Sequence, residues 1–352
     1  MEKKEKVVIA LCVVATIAAG VLHYTGANAV VAFAVTAVAL ALLAMIVGDA
    51  TEQLGSRLGP GATGILQSAL GNLPELFVSI FALRAGLANV VQAALVGSIL
   101  GNSLLVFGLA IFVGGLKNGT QRFKSETPKM IATLMILAVA ALIIPTLVKE
   151  LHTPAEPHVN SLDIFCAIVL LVLLVASVFF SVKGDKAVSP DPNQCDQHAE
   201  WSLGLTIGVL AGAGIGAAFV SEWFVSALEP AMKALNLSEA FAGLVIVAIA
   251  GNAIENLIGI QLAYRNQADY AVSVILNSSL QVALGLFPVL VLLSFVLGGS
   301  ILTFVLSPLL VVALALSTIV TAFVVYDGES IWLEGLALVG LYCIIAASFW
   351  WG

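Results

Sequence analysis

From Val7 to Trp351 the chain is a succession of apolar runs separated by short polar breaks, and that pattern leaves lipid as the solvent for most of its surface. About 20 mostly apolar residues cross a bilayer as a helix. Eleven such runs are centred near Ala15, Ala37, Val78, Leu105, Ala138, Leu171, Gly212, Ala250, Ala283, Val312 and Leu341. They are long and show no sustained two-residue alternation, so the expected fold is all-α and polytopic rather than a barrel. With 61% hydrophobic and 10% charged residues, a water-soluble domain of this size would expose large apolar patches. The longest breaks are Lys117 to Lys129, His152 to Asn160 and Lys183 to Glu200, and none can fold alone. The last carries Asp185, Asp191, Asp196 and Glu200; it reads as a solvated linker, or more sharply as a cation-sensing segment.

Charge sets orientation and excludes some partners. A formal net charge of −7 and a pI near 5.1 argue against a nucleic-acid partner, because a phosphate backbone demands clustered Lys and Arg. Cys12, Cys166, Cys195 and Cys343 lie far apart without CxxC spacing, so neither a disulfide framework nor a zinc site is expected. With eleven spans and a cytoplasmic N-terminus, inner loops hold 11 Lys and Arg residues and outer ones only Arg84, Lys149 and Lys233, as the positive-inside rule requires. The C-terminus then lies outside. The first run follows a basic stretch and also has the form of a cleaved signal peptide; its removal would leave the orientation of the other ten unchanged.

The chain also repeats itself. Gly71-Asn72-Leu73-Pro74-Glu75 is echoed 180 residues on by Gly251-Asn252-Ala253-Ile254-Glu255, and the same offset pairs Ile80 with Ile260, Ala88 with Ala268, Ser98 with Ser278 and Leu100 with Leu280. Upstream, Thr51-Glu52 resembles Ser221-Glu222. The motifs fall on the third and eighth spans, an odd separation that places the copies in opposite orientations. Inverted repeats are a recurring construction of secondary transporters, with the substrate near the midplane where the halves meet. The expected division is an extra helix at 1–26, a five-helix half at 27–183, a cytoplasmic linker at 184–200 and a second half at 201–352.

A glutamate near the middle of a membrane helix costs about 3 kcal/mol on insertion scales and is a functional candidate by default. Here there are two. Asn72 and Glu75 are three apart and share a helix face, as do Asn252 and Glu255, so symmetry can gather two carboxylates and two amide oxygens. Such a set suits a hard cation such as Ca2+, which takes six to eight oxygen ligands; the absence of a neighbouring Cys or His disfavours softer metals. Pro74 and the two glycines can expose a backbone oxygen to complete the shell. Protons compete with the cation for the same carboxylates, and a carrier that crosses only when neutralised by one or the other is an exchanger. The competing reading is that these side chains are interhelical polar glue. Ser98, Asn102, Ser278 and Gln281, on the following spans, can line the same cavity or pack as ordinary small polar groups. Glu52 and Glu222, each expected to close a span just before a loop, read either as solvated helix ends or as proton-passing groups at the mouths of the pathway.

At these residues the sequence resembles the cation/proton exchanger (CAX) family of the calcium/cation antiporter superfamily. The resemblance rests on the two GNxxE motifs, Gly97-Ser98-Ile99-Leu100-Gly101-Asn102, Ser278-Ser279-Leu280-Gln281 and the neighbourhoods of Ala50-Thr51-Glu52 and Glu229-Pro230. It covers the chain from the second span to the end. It implies one extra helix plus two inverted five-helix halves, Ca2+ export driven by inward proton flow, Glu75 and Glu255 as central carboxylates, the second and seventh spans as sliding gates, and assembly as a homotrimer. No enzyme activity and no organic cofactor are implied; Ca2+ is cargo. Two departures stand out: Leu73-Pro74 replaces the usual small or polar pair, and the linker has only four acidic residues. Short termini and compact loops point to a prokaryotic plasma membrane. A sodium-driven calcium exchanger of the same superfamily and a passive cation channel are the alternatives. An aspartyl protease would need a GxGD motif, which Gly48-Asp49 lacks.

Overall fold

A computed structural model describes residues 3–26, 28–58, 70–123, 127–183 and 201–350; within these, the side chains of residues 3, 4, 56, 58, 181–183 and 253–256 are not described. The linker expected at 184–200 lies outside the described residues. The chain forms α1 (Lys3–Thr25), α2 (Ala29–Leu58), α3 (Leu73–Arg84), α4 (Ala88–Asn118), α5 (Thr127–Glu150), α6 (Val159–Lys183), α7 (Leu203–Leu235), α8 (Glu239–Gly251), α9 (Ala253–Tyr264), α10 (Ala268–Leu297), α11 (Pro308–Tyr326) and α12 (Trp332–Trp350). Two strands, β1 (Gln121–Arg122) and β2 (Glu329–Ser330), pair antiparallel. Among the described residues nine helices are long and apolar enough to cross a membrane. Their outer faces carry large apolar side chains such as Val296, Phe323 and Val14, each more than half exposed, as expected of surface in contact with lipid.

The two segments that carry the motifs differ from the others. The third run is not one long helix: α3 spans 12 residues and begins after Asn72, whose backbone is non-helical at φ −92°, ψ 18°. In the eighth run, α8 and α9 are separated by Asn252 alone, at φ −99°, ψ 13°. Both asparagines occupy the bridge region between helical and extended backbone. Pro74 therefore sits in the first turn of α3, where its missing N–H breaks no intrahelical bond.

The next span in each half carries a second matched irregularity. A π-helical turn covers Gly101–Val106 in α4 and another covers Val282–Leu286 in α10. Such bulges shift the register of the helix and gather at functional sites. The α4 bulge contains Asn102, whose neighbour Ser103 offers its carbonyl oxygen to Thr321 Oγ1 of α11 at 3.1 Å.

Contacts between connecting segments fall on two faces. On one, Trp201 ahead of α7 donates its indole N–H to Glu5 Oε2 (3.1 Å) and its amide to Gln53 Oε1, while Arg57 donates to its carbonyl; Asn118 at the end of α4 meets the carbonyls of Ala263 and Tyr264. On the other, His23 stacks on Trp223, Asn89 reaches Glu239 (3.2 Å) and Ser238 donates to the Phe349 carbonyl. Glu5 and Phe349 thus mark opposite faces.

Close packing fixes the centre. A Cβ on Gly97 would lie 2.3 Å from the carbonyl oxygen of Leu244, and one on Gly243 would lie 2.4 Å from that of Val90. The crossing of α4 and α8 therefore admits no side chain on these two residues. The pair α2 and α7 lies alongside, with Phe33 stacked on Phe224 at 4.9 Å between ring centroids.

Candidate functional site

Glu75 is the third residue of α3, in its first turn, where free N–H groups and the helix dipole favour negative charge. Glu255 is the third residue of α9, the same position on the matching helix. The Glu75 side chain is 8% exposed. Its Oε1 accepts from Ser98 Oγ of α4 at 2.9 Å and from Asn252 Nδ2 at 2.5 Å. A small cavity lies beside it, lined by Ser98 together with Leu40 of α2, Val78 and Ser79 of α3, and Ala248 and Gly251 of α8.

Asn252 is the hub of the cluster. Its Nδ2 also lies 3.0 Å from Ser98 Oγ and 2.9 Å from the Ala248 carbonyl oxygen, so the amide closes the helix end that its own backbone interrupts. Its Oδ1 accepts from Asn102 Nδ2 at 3.3 Å, and Asn102 donates again to Ser278 Oγ at 2.9 Å. Glu75, Ser98, Asn252, Asn102 and Ser278 thus form one continuous polar chain through α3, α4, the α8–α9 break and α10. All five are buried. Buried polar groups of this kind are costly unless hydrogen-bonded and, once connected, fix a single arrangement.

Gly251 is a seat for the carboxylate. A Cβ there would stand 2.5 Å from Glu75 Cγ and 2.8 Å from Oε1, so the motif glycine of one half is what lets the motif glutamate of the other approach the backbone.

The remaining sequence candidates fall differently. Asn72 and Gln281 are buried but belong to none of the hydrogen bonds of this cluster. The Glu255 side chain lies outside the described residues. Glu52 and Glu222 do not close their spans: α2 continues to Leu58 and α7 to Leu235, because the helices outlast the apolar stretch read from the sequence. Both are exposed and neither joins the polar chain. Among the described residues no group of three or more His, Cys, Asp or Glu is disposed to hold a metal.

The arrangement surrounds a buried carboxylate with hydroxyl and amide groups that carry neutral oxygens. Similarity to other proteins follows the same lines. Residues 28–183 and 205–351 match the family described as sodium/calcium exchanger protein. A Ca(2+)/H(+) antiporter of Synechocystis sp. is 33% identical over 370 residues, taking in 99% of this chain and 98% of that protein. The Ca(2+)/H(+) antiporter ChaA of Bacillus subtilis is 35% identical over 350 residues, 97% of each chain. The structure of native YfkE superposes with a TM-score of 0.83 at 32% identity, over 97% of this chain and 99% of that one. Matches of this extent cover both helix breaks and the buried glutamate seated between them: the chain belongs to the sodium/calcium exchanger protein family.

Proposed function

We propose that this integral membrane cation/proton exchanger, a transporter and not an enzyme, exchanges Ca2+ or a similar divalent cation for H+ by alternating access. Glu75 and Glu255 bind cation and protons competitively. The observation that carries this reading is the carboxylate of Glu75 buried against the Asn252 break of the other motif, with Ser98, Asn102 and Ser278 completing a run of oxygen-bearing side chains. An ionised carboxylate in this interior costs several kcal/mol unless it is matched by a cation, and a proton removes the charge altogether. Either ligand makes the loaded site easier to carry, and one excludes the other at the same oxygens. The hard-oxygen set favours Ca2+, and the relatives from Synechocystis sp. and Bacillus subtilis are named Ca(2+)/H(+) antiporters.

The division that fits this mechanism is an extra helix at 1–26, halves at 27–183 and 201–352 in opposite orientations, and a linker at 184–200; the two matched blocks omit the first helix and the linker. α2 and α7, packed side by side, serve as the gates that uncover the site to either face. Glu52 and Glu222 pass ions at the mouths, Asn72 and Asn252 add amide oxygens to the cation site, and Gln281 supports the cavity. The N-terminus is cytoplasmic, the C-terminus outside, and the membrane a prokaryotic plasma membrane; homotrimeric assembly rests on the family resemblance.

The test is radioactive calcium uptake by purified protein in proteoliposomes under a pH gradient without sodium, with Glu75→Gln and Glu255→Gln alongside. Uptake coupled to proton counterflow, abolished in both variants, is expected. Uptake that needs a sodium gradient would establish the sodium-driven alternative, and flux without counterflow a channel. Native exchange by either glutamine variant would end the proposed mechanism.

A further inference from the structure

Glu75 has an oxygen-bearing neighbour on its own helix. Ser79 lies one turn further along α3, and residues four apart share a helix face. Both side chains line the small cavity, and both are buried, Ser79 at 5% exposure. Apart from Ser98, the helices around them offer the cavity apolar side chains: Leu40 of α2, Leu95 of α4 and Val247 of α8.

The Ser79 hydroxyl differs from those of other buried serines. Ser103, Ser294 and Ser317 each donate to a carbonyl three or four residues back, the usual way for a helix to satisfy a hydroxyl. Ser98 donates to Glu75. Among the described residues Ser79 makes no hydrogen bond. A buried hydroxyl without a partner is costly, and this one borders a cavity that it shares with a carboxylate.

α3 is held on both sides of the pair. At one end Gly251 takes the Glu75 side chain against its backbone. At the other, the segment 298–307 between α10 and α11 grips the end of the helix: Ser300 N donates to the Leu83 carbonyl (2.9 Å), and a Cβ on Gly299 would lie 2.4 Å from that oxygen. The repeat does not duplicate this hydroxyl. The 180-residue offset that pairs Glu75 with Glu255 pairs Ser79 with Gly259. A Cβ on Gly259 would lie 2.5 Å from Ile275 Cγ1, so α9 packs against α10 where α3 carries a hydroxyl.

We propose that Ser79 is a further cation ligand, which adds a hard hydroxyl oxygen beside Glu75 and favours Ca2+-like ions over thiophilic ones. The assignment rests on divalent-cation binding at Glu75 and extends it to an oxygen outside the GNxxE motifs. Two oxygen–cation bonds of about 2.4 Å nearly span the rise of one helical turn, about 5.4 Å, so one ion can touch both side chains. Because Gly259 has no side chain, this ligand belongs to the Glu75 half alone.

Calorimetric binding of Ca2+ and Cd2+ to the purified protein tests the assignment with Ser79→Cys, Ser79→Ala and Ser79→Thr. A thiol favours the softer ion, so Ser79→Cys should raise affinity for Cd2+ relative to Ca2+ by about tenfold over wild type. Ser317→Cys is the control: the Ser317 hydroxyl is satisfied by the Leu314 carbonyl and does not line the cavity, so no such gain is expected there. Ser79→Ala should weaken Ca2+ binding about fivefold without changing the melting temperature of the cation-free protein, and Ser79→Thr should bind like wild type. Unchanged Ca2+ affinity in Ser79→Ala, or a Cd2+ gain no larger in Ser79→Cys than in Ser317→Cys, would overturn the proposal. Proton-driven flux is a separate measurement: a wild type that binds Ca2+ but does not trade it for protons would remove the exchange reading and leave the Ser79 ligand in place.

Discussion

The two spans that follow the motifs begin as near copies and end as different instruments. Ser98 and Ser278 match at the 180-residue offset, and each helix then enters a π-helical turn. At the next matched position the first half has Asn102 and the second Val282. Asn102 ties the Asn252 break to Ser278, whereas Val282 is fully buried apolar core. The repeat therefore sets backbone irregularities twice, but places an amide at this position of the π-helical turn once. A transporter whose halves swap roles during its cycle is necessarily asymmetric in any one state; the Asn102–Val282 difference makes part of that asymmetry permanent in the sequence.

Six substitutions can break or sharpen this comparison. Glu75→Gln should lower exchange by about a hundredfold or more, since the amide carries no charge to balance a divalent cation; proton-driven calcium flux measures it, and a residual rate near native would remove Glu75 from the mechanism. Gly251→Ala should follow, because its methyl group would fall 2.5 Å from Glu75 Cγ; overpacking of this kind typically costs about 1–3 kcal/mol, read as a lower melting temperature together with weaker cation binding. Gly71→Ala is its partner: if the motifs are equivalent it should act to the same degree, and a silent Gly71→Ala would show that only one half builds a glycine seat.

Smaller effects are expected further along the polar chain. Asn102→Ala removes one hydrogen bond to Asn252 and one to Ser278, which at about 1 kcal/mol each predicts roughly thirtyfold weaker apparent cation affinity, checked by calcium titration of the transport rate. The complementary Val282→Asn should change affinity by less than that and mainly destabilise the core; an equal effect on both would dissolve the distinction between the halves. Thr146→Val, remote from the cation, should cost about 1–2 kcal/mol of stability through its two lost bonds to Phe304 and Leu306. It should leave cation affinity unchanged in the same titration.

Much of the site was legible because lipid makes polar residues conspicuous. Glu75, Ser98, Asn102, Asn252 and Ser278 interrupt apolar runs, and their helical spacing already suggested a shared cavity. Ser79 carries a weaker signal, a lone hydroxyl one turn beyond Glu75, and escapes notice because its counterpart in the other half is Gly259. Glu52 and Glu222 were misplaced for a different reason: helices extend past the apolar stretch that hydropathy detects, so the last apolar residue is a poor guide to the helix end. The role of Pro74 likewise depended on where α3 begins.

The sequence by itself determined that the chain is helical and lipid-embedded, that its two GNxxE motifs correspond, and that carboxylates lie in the apolar runs. These follow from local rules, since a backbone in hydrocarbon must satisfy its own hydrogen bonds and a buried charge must have a purpose. Only the tertiary structure decided that Gly251 receives Glu75, that Asn252 rather than Asn72 is the hub, that Gly97 and Gly243 let α4 and α8 touch, and that 298–307 is anchored on α3. Those outcomes depend on distances between residues far apart in the chain, set by how helices pack to native density, which no stretch of sequence encodes alone.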